Sequence, residues 1–330
     1  MLARKSAVVL VAAAALVAGA AASLAFGAVD VPFRTVLDAL VSGGGADATP
    51  FERIVMQLRL PRTVEAAVVG AALGVAGALL QGALANPLAS PDVIGVTGGA
   101  GFGALLIILI FPGSIALVPV GALFFGLLAA TLVFAIAWAG PGGGSVGRLI
   151  LAGIAMGSLF SGAMAGMMAA FPNRVPSAIF FLAGGLTTSG WGTLRSIAPY
   201  FVVGFVIAIC LIRPLDRLAL GDDVAASLGT RPRFIRLTAG IGAALLAAAS
   251  AAIAGLLGFL GLVIPHVVRL AAGTSSHGFV IPVSALAGSA LLVAGDTLAR
   301  VARAPIEMPV GPLMVAIGVP LFLWLLRRSV

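Results

Sequence analysis

Apolar segments of roughly 20 residues alternate along this chain with short polar connections, and that length lets a helix cross a hydrocarbon core about 30 Å thick. The predicted spans are 7–26, 63–85, 93–111, 116–139, 147–170, 195–213, 234–256, 260–272, 280–303 and 309–327. The eighth span is short and contains Pro265. We expect a broken helix there, whose freed backbone groups are satisfied by protein or water. The pattern predicts an all-α integral membrane protein with about ten transmembrane helices in one domain, residues 1–330.

The first span could be read as a cleavable signal peptide, because Arg4 and Lys5 precede it and small residues follow near Ala25. Its length favours a retained helix that crosses the membrane. Ten spans place both termini on one side. With the termini in the cytoplasm, eleven of the 19 basic residues face inward and eight face outward, a weak excess in the favoured direction.

Composition supports the membrane assignment and restricts the partners. Hydrophobic residues make up 61% of the chain and charged residues 9%, far from the soluble average of about 25% charged. The net charge of +8 comes from arginines scattered between apolar runs, so it does not indicate nucleic-acid binding. The arginines expected on the outer face instead suggest a docking surface for an acidic partner. The single cysteine, Cys210, is expected to be a small buried hydrophobe.

The longest connection, residues 28–62, contains two amphipathic pieces, Val31–Leu40 and Phe51–Leu60, which we expect along the outer membrane surface. Two later helices contain glycines in patterns that favour close helix packing, although lining of a pathway remains an alternative. These glycines are Gly70, Gly74 and Gly77 in the second span and Gly153, Gly157, Gly162 and Gly166 in the fifth.

The polar segment 214–233 predicts a cytoplasmic loop with a short helix. Asp222 or Asp223 can cap the start of this helix, and Gly229 can close its end in a left-handed conformation. An ordinary surface helix is the alternative. A P-loop is missing, because Lys5 is the single lysine and no GxxxxGK[ST] pattern surrounds it. The chain is therefore not expected to be an enzyme.

Other polar residues near span ends are candidates for binding. Arg59 and Arg62 lie on either side of Pro61, and the alternative for them is a simple interfacial role. Asp296 and Arg300 have the i, i+4 spacing of an intrahelical ion pair. A metal site is not expected.

His266 has no second His, Cys or carboxylate at ligand spacing. We expect a structural role for His266 at the start of a helix, while His277 is expected in a polar loop.

Three stretches carry a resemblance to a known family. They are LRLPRTVEAAVVGAALGVAGALLQGALANPLASPDVIGVTGGAGFG at 58–103, GFLGLVIPHVVRLAAG at 258–273 and EMPVGPLMVAIGVPLFLWLL at 307–326. In this order they resemble the FecCD permeases, the membrane subunits of ATP-driven importers for iron-siderophores, haem and cobalamin.

The resemblance implies a type II permease bundle of an ATP-binding-cassette (ABC) importer in the bacterial cytoplasmic membrane. It also implies a homodimer with two ABC ATPase subunits and an extracytoplasmic substrate-binding protein. ATP and Mg²⁺ would bind the ATPase subunits, and no cofactor is expected in this chain. A ferric siderophore is the expected cargo, with haem or cobalamin as alternatives.

The resemblance also assigns roles to individual residues. Docking of the binding protein is implied for Arg59, Arg62 and Arg300; coupling to the ATPase for Asp222, Asp223, Ala226 and Gly229; and a cytoplasmic gate for Asn86, Leu88, Ser145 and Val146. The glycine-rich loop 140–147, GPGGGSVG, which contains Ser145 and Val146, departs from the family pattern.

The main alternative class is an ion- or proton-coupled secondary transporter. Such proteins place carboxylates near the middle of the membrane. Here Glu65 and Asp296 lie near the ends of predicted spans instead.

Overall fold

The computed structural model describes residues 2–27, 29–43, 45, 49–139, 146–186, 190–304 and 306–329, with side chains beyond 320 only for Leu323 and Arg327. In these ranges the regular elements are all helical. The α-helices are α1 (Leu2–Ala25), α2 (Phe33–Ser42), α3 (Pro50–Arg53), α4 (Leu60–Ala83), α5 (Val96–Ile110), α6 (Val118–Trp138), α7 (Val146–Ala170), α8 (Val175–Ala183), α9 (Trp191–Leu218), α10 (Asp222–Ser227), α11 (Pro232–Ala254), α12 (Leu260–Ala272), α13 (His277–Val301) and α14 (Val310–Ser329).

Hydropathy and length confirm a multi-pass membrane protein. Seven of the described helical stretches are long and apolar enough to cross a membrane: α1, Pro50–Ala83, Pro112–Trp138, α7, α9, α11 and α13. Three shorter apolar helices, α5, α12 and the described part of α14, fall at the third, eighth and tenth predicted spans. The all-helical prediction is confirmed, while a total of ten crossings stays a prediction.

Helix α4 is the centre of the bundle and packs against α1, α9, α11, α12 and α13. Its glycines allow this, because a Cβ on Gly70 would overlap the carbonyl of Gly288, and a Cβ on Gly77 would overlap that of Gly261. Close packing through small residues is thus confirmed for this helix.

The glycines of α7 differ. Gly153 packs on the carbonyl of Val93, but a Cβ on Gly157, Gly162 or Gly166 would meet no described atom within 4 Å. Close packing is therefore confirmed for Gly153. Gly157 lies beside α5, since a Cβ on Gly98 would be 3.5 Å from its Cα, whereas Gly162 and Gly166 have no such neighbour among the described residues.

The piece Phe51–Leu60, predicted apart from the span 63–85, is continuous with α4. A capping box, with Glu52 N donating to Thr49 Oγ1 and Thr49 N donating to Glu52 Oε2, starts α3, and a π-helix over Ile54–Arg59 joins α3 to α4. The piece Phe51–Leu60 is consequently the first part of a continuous 34-residue helical stretch. Its polar residues lower the hydropathy of this part of the sequence, but the helix continues through them.

Three further predictions need correction. The eighth predicted span does not break at Pro265, because α12 is one helix from Leu260 to Ala272 with this proline inside it. The apolar segment after α7 forms an additional helix, α8, beyond the ten predicted spans. Cys210 is exposed on α9 rather than buried. Apolar residues that face lipid and those that face the core have the same hydropathy, so the pattern along α9 could not distinguish these positions.

Candidate functional site

The polar residues of interest gather at the two ends of the bundle. The Arg59 end is where α1 ends, α4 begins and α13 ends; it brings Arg59, Arg62 and Arg300 together. The Asp222 end is where α4 ends and α11 begins, and it contains α10. The residues predicted for docking and for coupling therefore lie at opposite ends of α4.

Arg59 holds the end of α1. Its Nη1 donates hydrogen bonds to the carbonyl oxygens of Leu24 at 2.7 Å and Ala25 at 2.8 Å, and its Nη2 donates to that of Val29. The last carbonyls of a helix have no partner within the helix, so this guanidinium caps α1. Arg59 is only 6% exposed. The π-helix that ends at Arg59 directs its side chain toward α1 instead of toward solvent.

Arg62 bridges α4 to α13 and to the loop after it. Its Nη2 lies 3.0 Å from Asp296 Oδ1, its Nε lies 3.0 Å from Asp296 Oδ2, and its Nη1 lies 2.7 Å from Glu307 Oε2. A two-point contact between a guanidinium and a carboxylate is strong and fixes orientation. Asp296 is 2% exposed, so this pair is largely shielded from water.

Arg300 shares the same carboxylate. Its Nε lies 3.1 Å from Asp296 Oδ2, which confirms the i, i+4 ion pair, and its Nη2 donates to Ser23 Oγ at 2.7 Å. Asp296 therefore neutralises two arginines and links α4 to α13. The partners Ser23 and Glu307 were not predicted as contacts, because nothing in local spacing connects α1 or the last loop to Arg300 or Arg62.

A recess of about 240 Å³ opens beside these side chains. Its charged lining consists of Arg59, Arg62, Arg300 and Glu307. Three guanidinium groups and one carboxylate give this recess a positive excess that suits an acidic side chain.

At the Asp222 end, the prediction that an aspartate caps α10 is wrong. Gly221, with φ of 101°, is the N-cap, and both aspartates lie in the first turn of the helix. Asp222 instead accepts hydrogen bonds from Arg236 Nη1 at 2.8 Å and Nη2 at 2.7 Å. The Asp222 carboxylate, which was predicted to bind backbone N–H groups of its own helix, binds the distant Arg236 instead. Carboxylates in the first turn still suit the helix dipole.

The C-terminal end of α10 is as predicted. Gly229 has φ of +75°, its N–H donates to the Ala226 carbonyl at 3.0 Å, and the N–H of Thr230 donates to the Ala225 carbonyl at 2.9 Å. This pair of bonds is a Schellman motif, which needs a left-handed residue at the glycine position. The short helix consequently has a rigid end.

Helix α10 is tied to the core and presents an apolar outer surface. Arg236, which binds Asp222, also donates from Nε to the carbonyl of Ala83 at the end of α4, at 3.1 Å. Leu220, Val224 and Leu228 are 61%, 46% and 51% exposed. A displacement of α10 would therefore be transmitted to α4 through one guanidinium.

The predicted gate residues lie on a constrained turn after α4. Asn86 Oδ1 accepts a hydrogen bond from the backbone N–H of Leu88 at 2.9 Å, and Leu88 is 50% exposed. A short 3₁₀ turn, Pro91–Ile94, follows and packs against α7 and α12 through Gly153 and Gly261. Val146 is the first residue of α7, whereas Ser145 lies outside the described residues.

Sequence reasoning missed two polar contacts near the Asp222 end. Arg269 donates to Gln81 Oε1, and Asp216 accepts from the backbone N–H of His277 at 2.7 Å. His277, predicted in a polar loop, is the first residue of α13, and His266, predicted at a helix start, lies in the interior of α12. Both predictions of position are therefore wrong. Among the described residues, no three His, Cys, Asp or Glu side chains form a group that could hold a metal ion.

Comparisons with known proteins agree on one family. The model of the FecCD transport family matches residues 15–328. The Fe(3+)-citrate import system permease protein YfmE of Bacillus subtilis is 39% identical over 280 residues, which cover 84% of this chain and 83% of that protein. The hemin transport system permease protein HmuU of Yersinia pestis is 37% identical over 322 residues, which cover 95% and 93%.

Fold comparison gives the same result. A solved structure described as an inward-facing conformation of a metal-chelate type ABC transporter aligns with a TM-score of 0.84 and 30% identity, covering 98% of this chain and 99% of that chain.

Proposed function

This chain belongs to the FecCD transport family, and we propose that it is the membrane-spanning subunit of an ABC importer that carries a ferric siderophore into the cytoplasm. In this proposal it works as a homodimer, with separate ATPase subunits and an extracytoplasmic binding protein. Transport proceeds by alternating access, in which ATP-driven closure of the ATPases shifts the bundle between outward-open and inward-open states. The permease supplies surfaces and does not hydrolyse ATP.

The observation that carries this proposal is the construction of α10. It is a short rigid helix with exposed apolar side chains, and Arg236 ties it to the end of α4. A surface helix without a transmission role needs no such connection to the central helix. We assign coupling to the ATPase to Asp222, Asp223, Ala226 and Gly229, with Arg236 as an added contributor.

Docking of the binding protein is assigned to the recess at the Arg59 end. Arg62 is 12% exposed and already binds Glu307 at the rim, so an incoming glutamate would compete with Glu307 for the same guanidinium. Arg300 lines the recess from within, whereas Arg59 contributes charge while it holds α1. The exposed Arg303 lies nearby on the same end.

The gate and the dimer complete the proposal. Asn86, Leu88, Ser145 and Val146 are assigned to the cytoplasmic exit, which the packing of the 91–94 turn between α7 and α12 supports. Gly162 and Gly166 leave a face of α7 without a neighbour in the described part of the chain, and we assign that face to the pathway and the second copy.

The orientation follows from the same assignments. With α10 on the cytoplasmic side and the recess outside, α1 starts in the cytoplasm. Counting α5, α12 and α14 as crossings gives ten spans and returns the C-terminus to the cytoplasm.

The cargo is proposed from the relatives. Their names specify ferric citrate and hemin, both of which contain iron, so an iron chelate is favoured. Ferric siderophore is our choice, with haem or cobalamin as the alternatives. The family match gives no support to an ion-coupled transporter.

Uptake of a ferric siderophore into vesicles tests the function. Vesicles contain the permease with its ATPase, and the loaded binding protein is added outside. We expect uptake that requires ATP, stops with vanadate and continues with a protonophore. Uptake that follows a proton gradient without ATP would overturn the proposal, and uptake of haem or cobalamin alone would overturn only the cargo.

The coupling assignment has its own test in Gly229→Val. A β-branched residue disfavours the left-handed end of α10 by roughly 1 kcal/mol or more. We expect lower uptake and loss of ATPase stimulation by the loaded binding protein.

Gly43→Val is the matched control for that test, because Gly43 also has a positive φ, +69°, and also lies in open space, but at the end of α2. Normal stimulation in Gly229→Val, or equal losses in both variants, would contradict the coupling role.

A further inference from the structure

Two apolar grooves lie on either side of Phe234 at the Asp222 end. The first is about 640 Å³ and is bounded by α6 and α11, with Phe134, Trp138 and Leu237 in its wall. The second is about 570 Å³ and is bounded by α9 and α11, with Leu211 in its wall. Phe234 is 64% exposed and contributes to both. We call them the Phe234 grooves.

The charged residues that line the grooves are all arginines. Arg231 lines both grooves, Arg233 lines the first and Arg217 lines the second, and all three are exposed. Among the described lining residues, neither groove contains an aspartate or glutamate. Of the carboxylates nearest along the chain, Asp216 binds His277 and Asp222 binds Arg236, while Asp223 lines neither groove. The grooves therefore combine apolar walls with uncompensated positive charge at one end.

Each groove also contains a hydrogen-bond donor that no described residue satisfies. Trp138 lines the first groove and Thr230 the second, and Trp138 Nε1 and Thr230 Oγ1 are buried and lack a partner within the described part of the chain. Buried polar groups are normally paired, so either atom would pair with a ligand in its groove once its side chain rotates toward that ligand.

We propose that the Phe234 grooves bind an anionic phospholipid. The phosphate would lie at Arg231, with Arg233 and Arg217 on either side, and the acyl chains would lie along the apolar walls. α6, α9 and α11 all belong to stretches long and apolar enough to cross a membrane, so the grooves face acyl chains. Basic pockets between membrane helices at the cytoplasmic side suit anionic headgroups.

The charge of the grooves selects among lipids. A zwitterionic headgroup brings an ammonium group that three arginines repel, whereas phosphatidylglycerol brings only negative charge. The site requires the membrane location of the chain, but it requires neither the cargo nor ATP coupling. Loss of transport and loss of lipid binding are therefore separable results.

Quenching of Trp138 fluorescence by brominated lipids tests the proposal. The full-length chain carries Trp191→Phe and Trp324→Phe, which leaves Trp138 as the single tryptophan. The protein is reconstituted with increasing fractions of brominated phosphatidylglycerol or brominated phosphatidylcholine. We expect half-maximal quenching by phosphatidylglycerol at a several-fold lower fraction.

Charge variants identify the headgroup site. Arg231→Gln with Arg233→Gln should remove the preference, since each arginine near the surface contributes roughly fivefold in affinity for anionic lipid. The matched control is Arg195→Gln with Arg303→Gln, two exposed arginines that line neither groove. The control should keep the preference.

Three outcomes would overturn the proposal. Equal quenching by the two lipids would show that no anionic lipid is selected. Competition of inorganic phosphate at millimolar concentration would show a phosphate site without acyl contacts. Loss of quenching by both lipids when the ATPase subunit binds would show that the grooves are a subunit contact.

Discussion

At the Arg59 end, Arg59 and Arg300 are buried and Arg62 is 12% exposed, and all three bind carbonyls or a shared carboxylate. At the Asp222 end, Arg217, Arg231 and Arg233 are exposed beside apolar grooves. Arginine therefore has two different roles in this protein. At one end it joins helices, and at the other it leaves its charge available to a partner.

This comparison changes the interpretation of the arginines expected outside the membrane. The sequence suggested that these arginines form a docking surface. Arg59 and Arg300, both 6% exposed, also bind groups inside the protein. A count of charges on each side of a membrane cannot separate these roles. Variants that remove charge from each end can separate the two roles, because the loss of a buried charge lowers the free energy of unfolding more than the loss of an exposed one.

The largest effect is expected for Asp296→Ala, because it leaves Arg300 and part of Arg62 without a counterion. Removing one partner of a buried ion pair costs about 3–5 kcal/mol. The free energy of unfolding in mixed detergent micelles measures it. Glu307→Gln is the control, since Glu307 is 46% exposed and its pair should contribute about 1 kcal/mol or less. Equal losses in the two variants would remove the distinction between buried and rim contacts.

A smaller effect is expected for Arg59→Met, which keeps an apolar stem but loses the hydrogen bonds to the end of α1. Hydrogen bonds to a charged group contribute about 1.5–3 kcal/mol. Hydrogen exchange at residues 22–27 should accelerate, with little change in α11. Arg303→Met, at an exposed position on the same end, should leave that exchange unchanged. Unaltered exchange in Arg59→Met would mean that α1 is held by its apolar contacts alone.

Asp222→Asn should cost less than about 1 kcal/mol, because Asp222 is 52% exposed and water screens its pair with Arg236. A double-mutant cycle with Arg236→Gln measures the coupling energy directly. We expect roughly 0.2–1 kcal/mol. A value as large as that of the Asp296 network would show that the two ends are held equally tightly.

The smallest effect on stability is expected for Arg233→Gln, within about 0.5 kcal/mol in detergent without anionic lipid. Its side chain is exposed, and its charge acts outward rather than on the fold. A thermal unfolding curve with and without phosphatidylglycerol tests both points. A large loss without lipid would place Arg233 among the structural arginines.

Most of the helices could be predicted from the sequence, because apolar runs of membrane length leave few alternatives. The continuity of Pro50–Ala83 could not, since Glu52, Arg53, Arg59 and Arg62 make its first part look like a surface piece. Glu52, Arg59 and Arg62 are tolerated because a capping box, α1 carbonyls and Asp296 satisfy them, and Arg53 is exposed. A hydropathy profile shows that a residue is charged, but it does not show which group binds that charge in the folded protein.

The site residues show the same limit. Gly229 was predicted correctly, because a left-handed helix end is a local requirement that glycine meets best. The role of Asp222 was predicted wrongly, because the deciding contact comes from Arg236, fourteen positions along the chain. The Asp296 to Arg300 pair was predicted from its spacing, whereas Arg62 reaches Asp296 across 234 positions.

The glycine contacts of α4 have a mechanical consequence. At Gly70 and Gly77, backbone meets backbone, with no side chain between the helices to deform or change rotamer. Such joints are stiff, because sliding either helix would drive atoms into direct overlap. We expect α4, α12 and α13 to behave as a fixed frame, with the lowest hydrogen-exchange rates in the protein. Opening and closing would then be carried by helices such as α7, in which Gly162 and Gly166 have room around them among the described residues.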